Sequence, residues 1–298
     1  MQVTLLTDRY APMAARAAPF EENANWLLVA AACAVLWYGF LLIFTLIYSA
    51  CCLHPTSAEH DAVIDAFLAG STPGGVQLNL ATFGVYIGIL WGVLHVFHGL
   101  NLSNLLGPAR AALKSFGRVS LILIPLYLVV LGPSLADQQV YQQMDLLAWL
   151  AILPLTLPLL FVQIGAEEVV FRGYLQSHLA ALTKHPVVWL GLPSILFGLI
   201  HYDGTQPAYS AWAYVVWATG LGLVCADVTA RSGTLGPALA IHFVNNFAAM
   251  LVLASDDWLF GAALFVWPTY GAPWEPWVIF EALFLFTIWI ATRLAIRR

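Results

Sequence analysis

Long apolar runs separated by short polar stretches recur from residue 26 to the end of the chain. Their centres predict eight helical spans, at about 26–50, 79–100, 117–134, 146–168, 187–202, 210–229, 235–254 and 276–293. A helix needs about 20 apolar residues to cross the hydrocarbon layer, and most of these runs supply that length. The runs are continuous rather than alternating, so they do not read as the strands of a membrane β-barrel. The first 24 residues are mixed polar, with Arg9, Arg16, Glu21 and Glu22. The run after them exceeds the roughly 7–15 apolar residues of a signal peptide and reads as an uncleaved first span.

Charge orients these spans. Only 9% of the 298 residues are charged and 61% are hydrophobic, against about 25% and 45–50% in an ordinary soluble domain. With the N-terminus in the cytoplasm, Arg9, Arg16, Arg110, Lys114, Arg118, Arg172, Lys184, Arg231, Arg293, Arg297 and Arg298 all fall inside, as the positive-inside rule requires. The outer loops carry acids instead: Glu59, Asp61, Asp65, Asp137, Asp145, Asp203, Asp256, Asp257 and Glu275. The expected architecture is therefore an all-α, polytopic helical membrane protein with about eight transmembrane helices and both termini cytoplasmic. Residues 1–298 read as one membrane domain, with no internal repeat.

Two stretches suit the headgroup level. "LGPARAALKSFGR" after span two reads as a surface helix with a basic face. "WLFGAALFVWPTYGAPW" after span seven is rich in Trp and Tyr. No basic cluster suggests nucleic acid. Cys33, Cys51, Cys52 and Cys225 lack metal-knuckle spacing and read as buried or interfacial thiols.

The chemistry lies in polar residues set into apolar spans. Glu167 and Glu168 close span four, and Arg172 follows Glu168 by four residues, on the same helical face. Glu167 is rotated by about 100° and needs another partner. His201 ends span five, one turn after Phe197. In span seven His242 and Asn246 share a face, while Asn245 points elsewhere. Each group alone is compatible with snorkelling or with a hydrogen bond between helices. Three helices each burying strong polar groups are better explained by one wet pocket, since such groups normally face a bundle interior or cavity. A carboxylate, two imidazoles, an amide and a braced second carboxylate are the parts needed to activate water and hold an oxyanion.

The motifs "EEVVFR", "FGLIH" and "HFVNN" fit EExxxR, FxxxH and HxxxN in that order. In them the chain resembles the CPBP family of intramembrane glutamic endopeptidases, which includes eukaryotic CAAX-prenyl endopeptidases and bacterial Abi-type proteins. The resemblance covers roughly residues 146–254, which would form the catalytic core. It implies that Glu167 is the general base on a water, with His201 helping to hold it. His242 and Asn246 would donate to the oxyanion, Glu168 and Arg172 would brace the site, and Phe197 would shape the substrate pocket. No cofactor is implied. A zinc reading through Glu167, His201 and His242 is chemically open, but no HExxH accompanies it.

The expected partners are a membrane-associated peptide or protein substrate and the lipid bilayer, and the expected location is the bacterial inner membrane. The alternatives are a non-catalytic membrane binder on the same fold and a transporter; the latter would show repeated halves. Depth is the difficulty. Glu167 lies about 7 Å from the inner end of its span and His201 about 21 Å from the inner end of its own. Either residues 173–190 form a surface helix and span five begins later, or span five tilts or bends at Pro193. The remaining polar residues read blandly. His95 and His98 snorkel, Asp227 pairs with Arg231, Glu281 reaches the outer interface, and His178 and His185 lie in a cytoplasmic connection.

Overall fold

A computed structural model describes residues 10–52, 64, 66–256, 259–268 and 275–297. The Arg9, Glu59, Asp61, Asp65, Asp257 and Arg298 assignments above lie outside these residues, as do the side chains of Cys51, Cys52 and Glu275.

Short α1 (Ala11–Ala17) and a 3-10 turn (Ala18–Asn23) precede α2 (Trp26–Cys52). Then come α3 (Pro73–His98), α4 (Ser103–Leu106), α5 (Ala109–Leu135) and α6 (Leu146–Glu168). A π-helical segment, Val169–Leu175, continues α6 into α7 (Gln176–Leu182). The chain proceeds through α8 (Pro186–Leu199), α9 (Ala208–Ser232) and α10 (Gly236–Asn246), and a second π-helical segment, Phe247–Val252, prolongs α10. The last helix is α11 (Glu275–Ile296). Among the described residues six helices are long and apolar enough to cross a membrane, and α8 and α10 with its π extension are shorter apolar helices. The all-α polytopic class stands.

Local chemistry fixes several of these helix ends. Thr72 caps α3 by accepting the Gly75 N–H at 3.1 Å, with Pro73 in the first turn. Asp145 caps α6 by accepting the Leu147 N–H at 2.9 Å. Such caps satisfy N–H groups that lack a partner within their own helix. Gly233 closes α9 at φ 71°, a left-handed conformation that costs glycine little.

The central element is α9: 61% of its apolar window is buried, against 11–22% for the other long spans. Small residues let its neighbours close in. A Cβ on Gly198 of α8 would strike the Thr219 side chain and the Val215 carbonyl of α9. One on Gly222 of α9 would stand 3.0 Å from Ser194 of α8 and 3.1 Å from Arg172. Close helix approach through such residues is what drives packing where no water is left to expel.

Several expectations are corrected. "LGPARAALKSFGR" is not a separate surface helix; from Ala109 it is the first turns of α5, which leave Arg110, Lys114 and Arg118 exposed. Residues 173–190 are not a surface helix either, because helix continues unbroken from α6 to Leu182 and α8 starts at Pro186. Of the stretch "WLFGAALFVWPTYGAPW", residues 259–268 are described and contribute a strand, while 258 and 269–274 lie outside the described residues. Tyr141–Gln142 (β1), Leu253–Ser255 (β2) and Phe265–Trp267 (β3) form a small sheet with β3 in the middle, antiparallel to β1 and parallel to β2. Glu281 turns inward to accept the Trp217 indole N–H at 3.0 Å.

Candidate active site

Both π-helical segments begin directly after motif residues, one after Glu168 and the other after Asn246. A π turn widens the helix and redirects the side chains beside it, and such turns gather at functional sites. The residues around the first are sealed: Glu168, Arg172, Tyr174 and Gln176 are fully buried.

The cluster is built on Glu168. Its Oε1 accepts from Arg172 Nη1 at 3.0 Å and from His242 Nδ1 at 2.9 Å. A carboxylate oxygen only accepts, so Nδ1 carries the proton. That leaves His242 Nε2 facing Glu167 Oε2 at 3.3 Å. The contact is close but misaligned, and Glu167 Oε2 is buried without a hydrogen-bond partner among the described residues. One imidazole from α10 thus stands between two neighbouring carboxylates of α6. The two carboxylates address opposite nitrogens, so they do not converge on one ion. Among the described residues, no three His, Cys, Asp or Glu form a metal-ligating group.

Phe197 joins the remaining motif to this cluster. The Arg172 guanidinium lies 4.3 Å from its ring centroid, and the His242 ring meets it edge-on at 5.9 Å. His201 lies 4.7 Å away on the same ring. His201 Nδ1 contacts the Phe197 carbonyl at 2.7 Å. A carbonyl accepts, so Nδ1 holds the proton and Nε2 of the neutral ring is the bare nitrogen. The depth difficulty resolves without a surface helix: helix continues past Glu167 to Leu182 (182 − 167 = 15 residues) and α8 begins at Pro186 (201 − 186 = 15 residues), so both groups lie about 22 Å from the same end. No hydrogen bond joins His201 to Glu167 or His242 among the described residues; the aromatic ring links them.

Asn246 belongs to a chain of amides that sequence reasoning missed. Its Nδ2 donates to Gln163 Oε1 at 3.0 Å, and its Oδ1 accepts from Asn245 Nδ2 at 3.1 Å. Tyr127 on α5 donates its hydroxyl to Asn245 Oδ1 at 2.9 Å. Asn245 therefore points toward α5, yet its amide reaches back and fixes which way Asn246 faces. Gln163 was legible in principle: it sits one turn before Glu167, on the same helix face.

A strap from the N-terminal region holds the π segment from the end at which Leu105 and Gly233 lie. Arg16, 6% exposed, donates from Nη2 to the Leu105 carbonyl at 2.7 Å and to the Arg172 carbonyl at 3.2 Å. Its Nη1 reaches the Gly233 carbonyl at 3.4 Å. Burial pushes this guanidinium down to about 10, still charged at neutral pH. Beside it, His98 and His178 do not snorkel or lie in a loose connection. Both contact the buried Tyr174 hydroxyl, at 3.2 and 3.3 Å, and Phe20 stacks on His178. Asp227 and Arg231 pair at 2.8 Å, as their spacing predicts.

Fold and site together define a multi-pass helical membrane protein with a glutamate–histidine–arginine cluster between its helices. Residues 148–248 match the model of the family described as type II CAAX prenyl endopeptidase Rce1-like. The match falls on the segment that carries the three motifs. The chain is also 27% identical over 168 residues to "Uncharacterized protein YyaK" of Bacillus subtilis (strain 168), covering 53% of this chain and 56% of that protein. It thus spans about half the length of the curated relative it matches. No solved structure matches.

Proposed function

We propose that this chain is a glutamate-dependent intramembrane endopeptidase, acting on a membrane-associated peptide or protein in a bacterial cytoplasmic membrane. One observation carries the reading: Glu167 Oε2 is buried, has no hydrogen-bond partner among the described residues, and faces an imidazole nitrogen. An ordinary structural carboxylate at that depth would have its oxygens satisfied.

In the proposed reaction Glu167 takes a proton from water as the water oxygen bonds to the scissile carbonyl carbon. His201, with its bare Nε2, orients that water. The carbonyl becomes an oxyanion. Asn246 Nδ2 spends one N–H on Gln163 and offers its second to the oxyanion; His242, whose Nδ1–H is held by Glu168, joins it as an imidazolium that carries a second proton on Nε2. The proton on Glu167 then passes to the leaving nitrogen, the C–N bond breaks, and a carboxylic acid and an amine result. Glu168 and Arg172 touch no substrate in this scheme; they fix His242. No metal or other cofactor takes part.

The test compares protein termini in membranes of cells making wild-type protein or Glu167→Gln at matched levels. General acid–base groups contribute about 10²–10⁴-fold, so the variant should lose a set of new termini essentially completely, and a chelator should not. Identical termini in the two strains would instead favour a non-catalytic binder.

A further inference from the structure

The cytoplasmic ends of α9 and α11 form an open recess lined by Arg231, Arg293, Ile296 and Arg297. We infer that it binds the phosphate of an anionic membrane lipid, whose acyl chains run along the outer face of α11.

Three observations support the site. Two of its three arginines, Arg231 and Arg293, are held in place before any ligand arrives. Asp227 accepts from Arg231 Nε at 2.8 and 2.9 Å and from the Trp289 indole at 2.9 Å, and Arg293 stacks over Trp289 at 4.9 Å. Its charge is uncompensated: Asp227 neutralises Arg231, but neither Arg293 nor Arg297 has a carboxylate partner among the described residues. Guanidinium groups gathered this way suit a phosphate, which can accept two parallel N–H bonds from one guanidinium and single bonds from its neighbours. Finally, the recess opens onto a lipid-facing stripe. Leu283, Phe286, Ile290 and Leu294 recur every three or four residues and are 63%, 58%, 38% and 57% exposed. They make one apolar track leading up to the arginines. A free phosphate would use the arginines and ignore the track, whereas a phospholipid uses both. Basic recesses between helices on the cytoplasmic side are where anionic headgroups are expected to lodge.

The recess is separate from the glutamate–histidine cluster, so occupancy can be read without any peptidase assay. Full-length protein would be released into a charge-neutral detergent with phosphatidylglycerol, phosphatidylcholine or inorganic phosphate, and retained adducts read by native mass spectrometry alongside thermal unfolding. Wild type should retain phosphatidylglycerol over phosphatidylcholine. Each arginine near an anionic headgroup is worth about a fivefold preference, so R293Q/R297Q should lose about 25-fold (5 × 5), and R293K/R297K should keep part of it. R110Q/K114Q, which removes equal charge from exposed positions on α5, should change nothing. Unaltered retention in R293Q/R297Q, or equal loss in R110Q/K114Q, would overturn the site. Inorganic phosphate raising the unfolding temperature as far as phosphatidylglycerol does would overturn the lipid as ligand. Both arginines are at the surface, and the lysine pair serves as a folded control for the glutamine pair.

Discussion

Glu168–Arg172 and Asp227–Arg231 are the same device in sequence: an acid followed four residues later by arginine, on an apolar helix. In the structure they differ in what is left over. Asp227 is fully provided for, by Arg231, Trp289 and the Tyr10 hydroxyl at 2.7 Å. Around Glu168 the opposite holds. Glu168 Oε2, Glu167 Oε2 and two nitrogens of Arg172 are buried with no hydrogen-bond partner among the described residues. A satisfied polar network holds a fold together, and an incompletely satisfied one at full burial keeps donors and acceptors free for water or substrate, which is what the proposed function uses. Spacing alone does not separate the two; the inventory of hydrogen bonds does.

The sharpest way to break the comparison is to remove each arginine. Arg172→Ala strands a fully buried carboxylate and should cost about 3–5 kcal/mol, visible as a large fall in unfolding temperature or failure to accumulate. Arg231→Ala leaves Asp227 with Tyr10, Trp289 and some access to water, and should cost only about 1 kcal/mol. Equal costs would erase the distinction. Gly222→Ala comes next. It pushes a methyl group toward Arg172 and Ser194 and should destabilise by about 1–3 kcal/mol, while an alanine at Gly88, where nothing stands nearby, should be harmless in a thermal melt.

Gln163→Leu sharpens the active-site half. It frees the Asn246 amide to turn, so turnover should drop by about tenfold, as expected when a positioned donor loses its support, with KM little changed. Loss of stability without loss of turnover would make Gln163 a packing residue. The mildest test is alkaline. Burial, reinforced by Asp227, pushes the Tyr10 hydroxyl up to about 12 from 10. The protonated form is favoured in the fold, so its contribution is intact below pH 10 and fades as pH rises through about 12. Tyr10→Phe should remove that alkaline step from the unfolding curve.

Much of this was legible in the chain. The positions of the apolar runs and the one-sided placement of Lys and Arg follow from the cost of charge in hydrocarbon, and the three motifs carry their own spacing. The rest depends on contacts distant in sequence. Gln163 shares the Glu167 face of its helix, but its partner, Asn246, lies 83 positions later, and no local pattern announces that bond. The π turns after Glu168 and Asn246 have no local propensity to announce them; tertiary packing selects them. Arg16 reads as one more cytoplasmic charge, and nothing in its neighbourhood says that it will be buried. His98 and His178 look like surface residues because Tyr174, which both contact, lies on a helix that continues past the expected span end.

The Arg16 strap also bears on how the protein is made. The helix carrying it leaves the ribosome before the carbonyls it bonds, which belong to Leu105, Arg172 and Gly233. Through the insertion of most of the chain, that basic segment has no docking place and must wait at the membrane surface. The π segment beneath the candidate site is therefore completed after translation of α9, when this earlier helix closes over the last-made of its acceptors. Maturation of the site is by this logic a late step, separable in time from membrane insertion.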